Sequence, residues 1–528
     1  MKRIHLYFVL LVAGFSFATA SCKKEPEGKT AKEVINDEDS IPLDSTKVAA
    51  FFVKYPDFKS FEPEIKELYK KYQYHYIWHD KSGRMDFADA LYNKVNQIKS
   101  EGVQTEIPYK DKFAELFAGT ADKKNPDVND ELLISCMYFF YVKNVYEGVD
   151  SSASKETGWF LPREKVSYVT YLDSLMKDPS RIKKDDKELI GQYYNLKKGL
   201  QFYQEIQKKG GWGAITLGEG VKALKPGDSA TAIVQVRKRL AATGDLKSDS
   251  GSNVYDTDLQ AGLDSFAKSH NLNPEKNVTP ALVKLMNVTV EDCIKTIVVN
   301  MERCRWISPD IAEAKEFISV NIPSYRLHYM VNGKPKLISN VVVGKELNQT
   351  VVFSGQMSYI VFSPYWNIPK SIIEKEVKPG IAKNKNYLEQ HNMEWNNGNV
   401  RQKPGNANSL GLVKFMFPNS NNIYLHDTPA KSLFNKESRA FSHGCVRVEK
   451  ARDLAVAILE GDKNWNPSKI DAAMHAGKEK NYTLKHKIPV YIGYFTAWAD
   501  ENGKVSFFED VYNRDNRLAH LLYNETAK

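Results

Sequence analysis

A chain of 528 residues with 42% hydrophobic and 12% aromatic content is long enough for more than one packed domain and too apolar to be disordered. Five cysteines (Cys22, Cys136, Cys293, Cys304 and Cys445), odd in number, thinly spread and without a C-x-x-C pair, argue against a disulfide framework. The net charge of +9 comes from scattered lysines and arginines with no dense basic run among aromatics, so nucleic acid is not an expected partner and an anionic polymer is only weakly indicated.

Residues 1–22 begin with Lys2 and Arg3, continue in an apolar run too short to span a bilayer comfortably, and end in small residues before Cys22: the pattern of an export signal. Those small residues resemble the lipobox of bacterial lipoproteins, with Thr19 where a bulkier aliphatic is usual; Ala18-Thr19-Ala20 also suits ordinary signal peptidase. The expectation is lipidation at Cys22 and a lipoprotein in the bacterial cell envelope, facing the periplasm and anchored to a membrane. Residues 23–45, rich in Lys, Glu, Asp and Pro, read as a flexible tether.

Over 46–225 the apolar spacing is helical, in "FEPEIKELYKKYQYHYIW", "ELLISCMYFFYVKNVYEG" and "KKGLQFYQEIQKKGG", the last closing on a glycine stop. This stretch reads as a helical scaffold. His75 and His79 share helical spacing, but no HExxH glutamate accompanies them and Tyr74, Tyr76 and Trp78 point to packing, so no metal is assigned there. Residues 226–290 carry three short amphipathic patterns: Val234, Val236 and Leu240, then Leu259, Leu263 and Phe266, then Leu282 and Leu285. They resemble the small peptidoglycan-binding domain of bacterial wall enzymes, with Ala267 where that family normally has glutamine after the phenylalanine.

From about 315 the period changes to two, within a β-rich domain assigned to 291–500. Asn332-Gly333 is a strong hairpin signal, and apolar runs follow at "YIVFSPYWNIP", "GLVKFMF", "NIYLHD" and "IPVYIGYFTAW". Residues 378–409 are too long for a simple connection and suit a capping insertion; 501–528 are left as a C-terminal segment.

The chemistry concentrates in "SHGCVRV", residues 442–448. A thiol near its ordinary pKa is mostly protonated at neutral pH, so a nucleophilic cysteine needs a base or positive surroundings. His443 and His426 are the candidate bases for Cys445, Gly444 lets the backbone approach a substrate, and Arg447 offers a planar fork to carboxylates or carbonyls. The strand-end His426, the intervening residues 427–441 and then Ser-His-Gly-Cys-Val-Arg resemble the signature of the L,D-transpeptidase catalytic domain. With "YWNIPKSI", "IYLHDTPAKSLF" and the upstream "GGW", the chain resembles the large multidomain branch of that family.

The resemblance implies a multidomain α + β protein: helical scaffold, three-helix peptidoglycan-binding-like domain, and β-rich L,D-transpeptidase domain with a capping insertion. It implies that Cys445 attacks the carbonyl before the terminal D-alanine of a peptidoglycan tetrapeptide stem, forming a thioester that a second stem's amine resolves into a 3→3 cross-link, or water resolves as a carboxypeptidase. His426 would be the base, oriented through a backbone carbonyl such as that of Asp427, and His443 and Gly444 would shape the site with N–H groups near Gly444 and Cys445 holding the oxyanion. Arg447 would order the site or meet substrate, Trp366 would line the cleft or sit in the core, carbapenems would acylate Cys445, and no cofactor is implied. Two other readings compete: a zinc murein peptidase with His426, His443 and Cys445 as ligands, and a non-catalytic wall-binding lipoprotein.

Overall fold

The computed structural model describes residues 29–118, 126–163, 167–178 and 188–523, so Cys22 and its lipidation lie outside the described residues. The chain forms two compact units.

Of the described residues, the first comprises 29–92, 115–118, 126–134 and 169–178. Residues 29–45 are not a free tether there. A capping box between Thr30 and Glu33 starts the short helix Ala31–Ile35, Val34 and Leu43 are buried, and Lys29 pairs with Asp80 at 2.8 Å. Two apolar anchors in a charged stretch are enough to dock it. The helix Glu62–Lys71 ends earlier than the periodicity suggests, because Gln73 and Tyr74 turn with φ of 48° and 55°. His75 and His79 are therefore not on one helix. Residues His79–Asp80 (β1) and Gly83–Arg84 (β2) form a small ladder, and the buried carboxylate of Glu131 accepts from His79 Nδ1 (2.8 Å), the Tyr69 hydroxyl (2.9 Å) and the Trp78 N–H. A carboxylate so enclosed fixes the chain at 77–79.

The second unit comprises, of the described residues, 93–114, 135–163, 167–168 and 188–523. Its helix Gly191–Lys208, assigned to the scaffold by sequence, packs against the helix Val290–Arg305, with Leu196, Leu200, Ile297, Val298 and Met301 in one core with the sheet strands. Within 226–290 the three helices are Thr231–Ala242, Thr257–Ser269 and Pro280–Met286. Leu259, Leu263 and Phe266 are buried as expected, but Ile233 replaces Val234 in the core, and Val283 and Met286 replace Leu285, which is exposed.

The main sheet has nine strands. Glu316–Asn321 (β3), Arg326–Val331 (β4) and Lys334–Gly344 (β5) lead, with Asn332 and Gly333 both at positive φ in the β4–β5 hairpin. Phe353–Phe362 (β6) follows; Trp366–Asn367 (β7), Met393–Asn396 (β8) and Asn399–Gln402 (β9) make a separate three-stranded sheet; then come Val413–Met416 (β10), Leu425–His426 (β11), Ala440–Ser442 (β12), Val446–Val448 (β13) and Lys480–Gly493 (β14). The order is β12-β5-β13-β11-β10-β6-β14-β3-β4, and β4 also pairs with β5, so the sheet closes on itself.

Two boundaries differ from those expected. The insertion begins at β7, before residue 378, and has its own core of Ile368, Ile372, Ile373, Val377 and Val400. The C-terminal segment is part of the β-rich domain: Ala497–Ala499 (β15) pairs with Val505–Phe507 (β16), and the buried Tyr512 hydroxyl donates to Gly344 O at 2.7 Å. Arg303 and Asp515, 2.7 Å apart, tie the last helix Arg514–Tyr523 to Val290–Arg305. Among the described residues no helix is long and apolar enough to cross a membrane.

Candidate active site

The site is built on the parallel pair β11–β13, where Leu425 stands opposite Val446 and His426 opposite Arg447. Leu425, Val446 and Val448 are fully buried on the core face. Because side chains alternate along a strand, Tyr424, His426, Cys445 and Arg447 share the other face, on segments about 4.8 Å apart. The Val446 N–H donates to Tyr424 O at 3.2 Å, which continues the register to the cysteine.

His426 is buried and its Nδ1 lies 2.5 Å from the carbonyl of Asp427. A carbonyl only accepts, so Nδ1 carries the proton and Nε2 keeps its lone pair. Asp427 is itself fixed: its N–H donates to Val413 O, one carboxylate oxygen accepts from the Leu412 N–H at 3.0 Å, and the other pairs with Lys431 at 2.6 Å. A Cβ on Gly411 would stand 2.3 Å from that carboxylate, which is why glycine occupies this turn at φ +64°. Burial, and then the Arg447 charge, push the imidazole pKa down to about 4. His426 is thus neutral at physiological pH, in the tautomer a base requires.

The Cys445 thiol is half-buried, and burial raises its pKa, while Tyr424 and Arg447 act against that rise. Its Sγ lies 3.7 Å from Asn422 O, and the Tyr424 hydroxyl interacts with both this thiol and the Trp366 indole. Trp366, half-buried at the root of the insertion, therefore reaches the site. Arg447 has a buried Nε with no partner among the described residues, and burial lowers its pKa.

The turn before the cysteine is held from beneath. Ser442 Oγ donates to Cys445 O at 2.6 Å and accepts the Gly444 N–H at 3.1 Å. The Gly444 N–H, expected to face an oxyanion, is therefore turned inward, whereas the Cys445 N–H has no internal partner among the described residues. Gly444 adopts φ +116°, a conformation open to glycine, and its carbonyl accepts from Thr350 Oγ1 at 2.8 Å. The Thr350 N–H in turn donates to the Tyr512 hydroxyl at 3.1 Å. His443 is exposed and faces Glu376 of the insertion, Nε2 to Oε1 3.3 Å.

His426, His443 and Cys445 do not converge as a zinc site would require, and among the described residues no group of three or more His, Cys, Asp or Glu side chains could hold a metal ion. Burial raises the pKa values of Cys136, Cys293 and Cys304 in the core, as expected for inert thiols.

Residues 315–470 match the YkuD family, described as the L,D-transpeptidase catalytic domain. This is an L,D-transpeptidase catalytic domain. A second match, to the family described as a scaffold domain, covers residues 63–200. A curated protein of Haemophilus influenzae named "Putative L,D-transpeptidase" is 35% identical over 243 residues, 42% of this chain, and the match spans about half (48%) of that relative. Solved L,D-transpeptidase structures from Stackebrandtia nassauensis (14% identity, 53% of this chain and 97% of that one, TM-score 0.20) and Xylanimonas cellulosilytica (10% identity, 52% and 100%, TM-score 0.17) also align, too loosely to carry any argument. The transpeptidase domain extends beyond the matched residues, since β14, paired to both β3 and β6, lies after residue 470.

Besides Glu376, sequence reasoning missed Tyr424, Thr350 and Tyr512. Tyr424 was within reach, being two residues before His426 and hence on the same strand face. Thr350 and Tyr512 carry no local signal, since their role depends on packing across long sequence separations.

Proposed function

We propose that this protein is a peptidoglycan L,D-transpeptidase that works through a Cys445 thioester. The observation that supports it most strongly is the shared face of His426, Tyr424, Cys445 and Arg447, with His426 neutral and its Nδ1 held on the Asp427 carbonyl. In the resting enzyme the thiol is the weaker acid and the imidazole a weak base, so proton transfer alone is uphill. The transfer therefore accompanies attack: Cys445 Sγ bonds to the carbonyl before the terminal D-alanine, the thiol proton passes to His426 Nε2, and negative charge moves directly to the carbonyl oxygen. The Cys445 N–H and the Arg447 guanidinium are the donors available to it. Collapse breaks the C–N bond, His426 returns its proton to the departing D-alanine nitrogen, and the thioester remains. A side-chain amine of a second stem then gives a 3→3 cross-link, or water gives the shortened stem. Trp366 lines the donor cleft beneath the insertion, and an acyl anchor on Cys22 keeps the protein in the envelope facing the periplasm.

Incubation of the purified protein with tetrapeptide-stem muropeptides tests this reading. Tandem mass spectrometry should find dimers that lack one donor D-alanine and are joined between the two third residues. Dimers joined through a fourth residue, or products formed only when zinc is added to chelated enzyme, would contradict it.

A further inference from the structure

Glu376 sits on the π-turn Ile373–Val377, whose flanking Ile373 and Val377 are buried in the core of the insertion. Π-turns within helices recur at functional sites. Three lysines, Lys370, Lys375 and Lys378, lie within six residues of Glu376, yet Lys378 pairs with Glu374 at 2.6 Å, and among the described residues the ionic contact of Glu376 is to His443 alone. Both partners are exposed, 55% and 42% by side chain, and open to a bound molecule. His443 is two residues from Cys445, which limits their Cα separation to about 7 Å. A carboxylate not neutralised by lysine therefore stands beside an imidazole at the mouth of the thioester site.

We propose that the Glu376–His443 pair is the acceptor-amine site, binding a primary ammonium and taking its first proton. This deepens the function proposed above and rests on it. His443 turns Nε2 toward the Glu376 carboxylate, 3.3 Å away, and so presents Nδ1 as the base, with Glu376 placed to hold the imidazolium that results. The acceptor arrives as an ammonium, which loses one proton to His443 Nδ1 and attacks the thioester carbonyl through the freed lone pair. As the C–N bond forms and the C–S bond breaks, the second nitrogen proton passes to His426 Nε2 and on to the Cys445 thiolate. His443 gives its proton to water, and the enzyme returns to thiol and two neutral imidazoles. Donor acylation uses His426 and not this pair, so only acceptor transfer depends on Glu376 and His443.

The test separates them in the full-length protein. In Glu376→Gln, donor acylation of Cys445 followed by intact mass should keep the wild-type rate, while transfer to an amine acceptor falls about 100-fold. The hydrolysed stem should rise at the expense of dimer. Hydroxylamine, largely unprotonated at neutral pH, should discharge the acyl-enzyme of Glu376→Gln and wild type equally fast. Glu374→Gln, at the carboxylate paired with Lys378, should behave as wild type in every assay. Equal loss of both half-reactions, equal loss with hydroxylamine and amine, or unchanged transfer would overturn the proposal while leaving the thioester reading intact. No acyl-enzyme in the wild type would overturn both.

Discussion

His426→Gln should lower kcat/KM for acyl transfer by about a thousandfold, within the range for loss of a well-placed general base. Glutamine preserves much of the volume and can donate to Asp427 O, yet it offers no nitrogen able to take the thiol proton. The wild-type pH profile reports the same residue. A base works only when deprotonated, and burial with the Arg447 charge lowers the His426 pKa to about 4, so activity is present above that value and lost as pH falls through it. We expect kcat/KM to hold from neutrality down to about pH 5 and then decline. An acid limb at the ordinary histidine value near 6.5 would contradict a buried, neutral His426.

Gly444→Ala should cost about 100-fold in kcat/KM, because its damage reaches the oxyanion donor without touching the sulfur. The nearest atoms to an added Cβ are Gln349 O at 3.8 Å and Asn348 O at 3.9 Å, so space is adequate. The cost lies in the backbone: φ +116° is strained for any side chain, by about 1–3 kcal/mol, and relief of that strain rotates the Cys445 N–H. Stopped-flow acylation checks the rate and thermal unfolding checks the strain. Wild-type rates in Gly444→Ala would mean that this turn is not tuned for catalysis.

Much of the site was legible because its chemistry is local. His426 and "SHGCVRV" lie on two adjacent short strands, and the Asn332-Gly333 hairpin forms where its dipeptide demands positive φ. What was not legible depends on distance in sequence. Tyr512 supports the Gly444 turn through Thr350 from the far end of the chain, and Glu376 meets His443 only once the insertion has folded around its own core. The helix overrun at 72–79 has a different cause. Aromatic spacing there mimics a helix, but Glu131 captures the N–H groups of Ile77 and Trp78 and holds them in a bend. Similarly, residues 29–45 have the composition of a tether, and only Val34 and Leu43 reveal that they pack.

The most direct test of a thiol activated by His426 is the mass of the intact chain after brief exposure to a tetrapeptide donor or a carbapenem. The account predicts a single acyl adduct that peptide mapping places on Cys445, and no adduct on Cys445→Ala. An undiminished adduct on Cys445→Ala, or none on the wild type, would contradict it.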